Sequence, residues 1–136
     1  MTDFSRTVFI HPKALVEARS IGKGTRVWGF AHVLKGARIG KDCNIGEHCY
    51  VESGVVIGDH VTVKNGVALW EGVTVENGAF IGPFAVFTND MRPRSMPGFK
   101  TPREEFLPTH IARGATVGAN ATIVCGVKVG EWSFVA

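Results

Sequence analysis

Between Thr88 and His110 the chain gathers Asn89, Asp90, Arg92, Arg94, Lys100, Arg103, Glu104 and Glu105, with Pro93, Pro97, Pro102 and Pro108 limiting their freedom. So much polar chemistry in one stretch is what a ligand-handling loop needs. Asn89 opens it. Its amide can orient an attacking group through the oxygen or donate to a carbonyl through the nitrogen, or it can simply cap the loop with backbone hydrogen bonds. Arg94 carries a planar fork suited to a diphosphate, although its charged surroundings also read as ordinary loop surface. Five histidines are candidates for a general base. A turn role explains His48 and His60, His11 lies near the amino terminus, and His110 marks the end of the stretch. His32 directly precedes an inward-facing valine, so its ring points outward as a base, a substrate contact or a surface residue. Lys64 and Glu71, on successive hexads beside Trp70, are candidate contacts to a polar ligand; a solvated surface explains them as well. Trp28 and Trp70 are expected to be exposed in a single chain and to ask for a partner subunit or a ligand.

What positions these residues is a six-residue rhythm. An aliphatic residue or Phe falls at 9, 15, 21 and every sixth position to 87, then resumes in register at 111 and continues to 135. A small or β-branched residue usually stands two positions earlier, as in Thr25, Ala31, Cys43 and Ala115. Three positions after the aliphatic comes a turn-former: Gly24, Gly36, Asp42, His48 and their successors, broken at Phe30, Phe84 and Trp132. Glycine, Asn and Asp tolerate the positive φ of a tight corner. No helical periodicity competes with this pattern. The reading is an all-β solenoid, a parallel β-helix of about six triangular coils. The stretch at about 88–110 is a loop inserted at a corner, leaving and rejoining the repeat in the same register.

With these hexads, the segments Thr25-Arg26-Val27-Trp28, Gly82-Pro83, Phe87-Thr88-Asn89-Asp90 with Pro93-Arg94-Ser95, and Gly118 to Gly126 resemble the hexapeptide-repeat acyltransferases. Within that family they are most similar to the nucleotide-sugar N-acetyltransferases of bacterial surface-polysaccharide assembly. The resemblance implies a left-handed winding, a homotrimer with active sites between subunits, and acetyl-CoA as co-substrate without a metal. It implies that Asn89 is an active-site residue; His32, pointing outward from its prism face, would stand where a neighbouring subunit's cleft could lie, as a base or a substrate contact. A mechanism without a protein base is equally open, the amine entering neutral. Lys64, Glu71 and Arg94 would then bind the nucleotide sugar, and Gly118, Ala119 and Gly126 would border the acyl-CoA. The favoured acceptor is a dTDP-3-amino-3,6-dideoxyhexose, followed by a UDP-linked diamino sugar acid. From a different class, the same prism can serve as a non-catalytic or metal-binding scaffold.

Composition sets limits. A net charge of +3 is spread over the hexads without a concentrated basic face, which argues against a nucleic-acid partner. No apolar run approaches a membrane span and no signal-peptide pattern is present, so membrane insertion is not expected and the cytoplasm is the default. Cys43 and Cys49 occupy small inward slots on different faces and Cys125 lies far along the chain, as buried core residues do; a disulfide or metal site is the lesser reading. The corner histidines His48 and His60 are twelve apart, a poor match to a zinc site. The chain reads as one domain, 1–136, that stops mid-repeat. It therefore reads as a truncated piece or as the amino-terminal part of a longer polypeptide, and the resemblance to the sugar acetyltransferases implies a fused sugar ketoisomerase as a suitable partner domain.

Overall fold

The computed structural model describes residues 7–136. Nineteen strands of two or three residues wind into six complete coils and the first strand of a seventh. Every third strand stacks on its predecessor, giving three all-parallel sheets of seven, six and six strands. The first sheet runs from Phe9–Ile10 to Phe134–Val135, the second from Leu15–Val16 to Thr122–Ile123, and the third from Ser20–Ile21 to Lys128–Val129. This is the parallel β-helix expected from the hexads, consistent with a left-handed winding.

The hexad explains the prism. From Val27 onward, the aliphatic positions and the small residues two places earlier point inward: Val27, Val33, Ile45, Val51, Val63, Leu69, Ile81 and Ile111 are essentially inaccessible. Strand amides reach the next coil, as in Arg26 N to Cys43 O at 2.9 Å and Thr62 N to Ala79 O at 3.1 Å. Each coil therefore needs a neighbour to bury its core and to satisfy its backbone. Two inward slots hold hydroxyls with opposite fates. Thr25 Oγ1 donates to Gly40 O at 2.7 Å and accepts from Cys43 N at 3.0 Å. Thr109 Oγ1 is buried with no partner. The three cysteines are buried free thiols. Cys43 and Cys49 donate to the carbonyls of Gly58 and Lys64 at 3.0 and 3.1 Å, and burial pushes both thiols up from their ordinary values.

Three details differ from the expected pattern. In the first coil Ile10 and Val16, not Phe9 and Leu15, stand in register with Val27 and Val33. Leu15 is exposed, and the inward residues Val16 and Ile21 are five positions apart, where Ile10 and Val16, or Ile21 and Val27, are six. The corner slot is also unbroken, because Phe30, Phe84 and Trp132 adopt φ of 60°, 58° and 58°. That conformation costs an L-residue roughly 1–2 kcal/mol, and ring packing offsets it. Phe84 lies on the face of Gly66, Trp132 on Gly114, and Phe30 stacks on His48 at 5.1 Å. Finally, the inserted loop spans 88–108, since Thr109 and His110 already belong to the strand Thr109–Ile111. That strand pairs Val73 with Thr109 and Val75 with Ile111, so the repeat resumes without a slip.

Candidate functional site

The loop leaves from the corner between the second and third sheets, and rigid coils hold both its ends. Thr88 Oγ1 accepts from Cys125 N at 3.0 Å. Leu107 N donates to Asn89 O at 2.9 Å and closes the neck. Behind it, Trp70 Nε1 donates to Phe87 O at 2.8 Å. Trp70 is thus half-buried against the core and Tyr50, and Trp28 is likewise engaged, through Asn44 Oδ1 at 2.8 Å and the ring of Phe9. The expectation that both tryptophans stand exposed and await an outside partner is corrected. Their indole N–H groups reach residues roughly one coil further along, which supply the acceptor.

Along this edge one corner position recurs every eighteen residues as Lys35, Ser53, Glu71 and Asn89. Asn89 Nδ2 donates to Glu71 O at 3.3 Å, while Ser53 Oγ donates to Lys35 O. Among the described residues the Asn89 side-chain oxygen has no hydrogen-bond partner. Glu71 N donates to Glu52 Oε2 at 2.6 Å, and the Glu71 carboxylate receives Arg103 Nε at 2.7 Å from the loop. That hydrogen bond and the guanidinium charge hold Glu71 below the usual carboxylate range, while Arg103 is raised by the same contact. Together Leu34, Glu52, Ser53, Glu71, Asn89, Arg103 and Phe106 enclose a cleft of about 380 Å³. An amide with a tethered nitrogen and an open oxygen can fix the direction of an amine placed in such a cleft.

The structure brings together Asn89 and Glu71 of the residues singled out by sequence, and sets the others apart. Arg94 lies further out on the loop, its Nη1 donating to Pro93 O at 2.9 Å. His32 stands on the outer face of the second sheet, its Nε2 2.6 Å from Glu17 Oε1 and its ring edge-on to Tyr50. Lys64 is not beside Glu71. It occupies the corner between the first and second sheets, because one hexad turns the chain through a third of a coil. Gly118 and Ala119 share the edge of Lys64, packed so tightly on Gly82 that an added Cβ there would meet Ala119 N at 2.7 Å. Gly126 lies across the second sheet, on the loop edge, where its N donates to Pro108 O at 2.8 Å. Sequence reasoning missed Glu52, Ser53 and Phe106, and saw Arg103 only as one of the charged residues of the loop. Counting back eighteen from Glu71 would have found Ser53; nothing local marks Arg103. Among the described residues no group of three His, Cys, Asp or Glu side chains is arranged to hold a metal ion, and no helix is long and apolar enough to cross a membrane.

Known proteins share this architecture. The family model for the hexapeptide repeat of succinyl-transferase matches residues 36–71 and 108–136, and that for the bacterial transferase hexapeptide matches residues 54–89. The dTDP-3-amino-3,6-dideoxy-α-D-galactopyranose 3-N-acetyltransferase of Aneurinibacillus thermoaerophilus is 47% identical over 135 residues, covering 99% of this chain and 68% of that protein. Among solved structures, the acetyltransferase domain of PglB from Neisseria gonorrhoeae superposes with a TM-score of 0.71 at 25% identity, over 92% of this chain and 55% of that one. WeeI from Acinetobacter baumannii gives 0.62 at 28% identity, over 93% and 50%. The chain therefore spans about half the length of each of these two structures.

Proposed function

Because the chain belongs to the hexapeptide-repeat transferases, we propose that it moves an acetyl group from acetyl-CoA to the 3-amino group of a dTDP-linked 3-amino-3,6-dideoxyhexose. The observation that carries this reading is the likeness to the Aneurinibacillus enzyme over nearly the whole chain. The cleft at Asn89 gives it a chemical location. There the Asn89 oxygen accepts a hydrogen bond from the sugar amine and aims its lone pair at the thioester carbonyl carbon. A C–N bond forms, the carbonyl oxygen takes the charge, and collapse breaks the C–S bond to release coenzyme A and the acetamido sugar. Glu71 contacts the sugar and Arg94 the diphosphate, while Lys64, on the edge between the first and second sheets, reaches the nucleotide sugar only across a subunit boundary. The small residues Gly118, Ala119 and Gly126 border the pantetheine.

The amine must also lose a proton. In one route His32, oriented by Glu17, takes it from a neighbouring subunit's cleft. In the other the amine enters neutral and the departing thiolate takes the proton. The position of His32 outside the lining of the Asn89 cleft favours the intersubunit form of that first route. A homotrimer with sites between subunits supplies that arrangement. The reading places the enzyme in the cytoplasm, in assembly of the O-antigen of lipopolysaccharide or a similar surface polysaccharide, with 1–136 as one acetyltransferase domain. A ketoisomerase fused to it would suit a dTDP-linked acceptor.

The test is thiol release from acetyl-CoA with a panel of dTDP- and UDP-linked amino sugars, for the wild type and Asn89→Ala. Turnover is expected on a dTDP-linked 3-amino sugar. It should fall by roughly 10²–10³ in the variant, as for loss of a positioned polar group, with coenzyme A binding retained. Preference for a UDP-linked sugar acid would change the acceptor; no turnover on any amine would favour a non-catalytic scaffold.

A further inference from the structure

The loop forms a second cleft that the reaction at Asn89 leaves unexplained. Arg92, Arg94, Phe99, Lys100, Thr101, Pro102 and Glu105 surround about 270 Å³. Three of these side chains are cations, and among the described residues none has a carboxylate within ion-pair distance. Glu105 is the single acid in the lining, leaving an excess of positive charge facing the space. Cations that share a wall without acidic partners repel one another, and an anion relieves that repulsion.

The arrangement is built rather than incidental. Asp90 Oδ1 accepts from Arg92 N at 3.0 Å and from Thr101 Oγ1 at 2.8 Å, fastening the outgoing strand of the loop to the returning one. Arg92 and Lys100, at and beside the two fastened residues, thereby both line the same opening. At the tip, Phe99 N donates to Met96 O at 3.0 Å across a turn in which Gly98 has a φ of +86°. That turn presents Phe99 with 72% of its surface exposed. An exposed aromatic face beside unpaired cations is the combination that takes a base together with its phosphates.

We propose that this cleft receives the nucleoside diphosphate of the acceptor, with Arg92, Arg94 and Lys100 on the phosphates and Phe99 against the base. The proposal rests on the nucleotide-sugar reading given above. Residues 102–106 form a wall common to both clefts, Pro102 and Glu105 facing one, Arg103 and Phe106 the other. In a nucleotide sugar only the sugar ring separates the diphosphate from the reacting amine, so neighbouring clefts suit it. Coenzyme A also ends in a nucleoside diphosphate, but a long pantetheine arm separates that end from its thioester.

The experiment is calorimetric titration of the full chain with dTDP, inorganic pyrophosphate and coenzyme A, for the wild type, Phe99→Ala and the double variant Arg92→Ala/Lys100→Ala, with thermal midpoints confirming that each folds. Phe99→Ala is expected to weaken dTDP roughly tenfold, as for a lost stacking partner, and to leave pyrophosphate unchanged. The double variant should weaken both ligands and leave coenzyme A unchanged. Unmoved dTDP affinity in both variants, or a loss confined to coenzyme A, would overturn the proposal. Its failure is separable from that of the reaction. Normal wild-type turnover with unaltered KM in the variants sinks the cleft alone. Absent turnover with dTDP binding that still responds to the substitutions sinks the reaction and upholds the cleft.

Discussion

Thr25 and Thr109 occupy the same kind of inward slot, and exchanging each for valine should move stability in opposite directions. Both are buried, at 0% and 1% exposure, and valine matches threonine in shape, so neither change opens a cavity. At Thr25 the hydroxyl accepts from Cys43 N and donates to Gly40 O. Gly40 O keeps a contact from Gly22 N at 3.1 Å, so the main casualty is one buried amide. An orphaned buried donor costs about 1–3 kcal/mol, and Thr25→Val should therefore destabilise by about 2 kcal/mol. At Thr109 the hydroxyl has no partner to lose. Replacing it removes a desolvated polar group and should stabilise by about 1 kcal/mol. Urea unfolding followed by circular dichroism reads both, and with slopes of about 1–3 kcal/mol per molar the two midpoints should separate by about 1 M or more. Equal losses in the two variants would show that the Thr109 hydroxyl is satisfied and that the accounting is wrong.

Other outcomes follow from the site and its corners. His32→Asn should reduce turnover less than threefold if the thiolate takes the proton, whereas a fall of roughly 10²-fold or more, the loss of a general base, would assign the proton transfer to His32. Glu71 is depressed in the folded protein, so the Glu71–Arg103 latch contributes fully above the ordinary carboxylate value of about 4.3 and is lost as pH falls through the lowered value. Protection of the loop amides, corrected for the intrinsic pH dependence of exchange, should accordingly fall on acidification and be pH-insensitive there in Glu71→Gln, and a loop whose protection is indifferent to acid would refute the latch. Gly66→Ala adds a Cβ 2.3 Å from Phe84 Cε1 at a φ of +76°. It should cost about 2 kcal/mol from the left-handed backbone and the displaced ring, with Gly66→Ala/Phe84→Ala recovering the ring's share on a thermal melt.

Much of the fold was legible because one coil is nearly a linear code: six residues carry the chain along one face and round one corner. The code failed where two adjacent residues satisfy it equally. Phe9-Ile10 and Leu15-Val16 are both apolar, and only the short connection after Val16 decides which member turns inward. It failed again at Phe30, Phe84 and Trp132, since propensity reads a bulky residue as unfit for positive φ and sees nothing of what its ring covers in an adjacent coil, a glycine for Phe84 and Trp132 and His48 for Phe30. At the site, Asn89 and Glu71 were found separately although they are eighteen residues apart, the spacing that stacks corner on corner. Applied to outward positions, that spacing would have joined them. Arg103 lay beyond such counting, because the path by which the loop folds back on Glu71 is irregular.

The place of the loop in the solenoid also determines what it costs the chain to carry it. Successive strands of the third sheet are normally joined after eighteen residues, as from Ile57 to Val75, but the coil holding the loop closes only after thirty-six, from Val75 to Ile111. Doubling a closure length costs only about 0.6 kcal/mol of chain entropy, less than one buried valine contributes. A coil can therefore accept a recognition element as long as itself while its hydrogen-bond ladder continues unbroken on either side. Ligand preference can then diverge through this one segment under little pressure from folding, with the prism left as an unaltered frame.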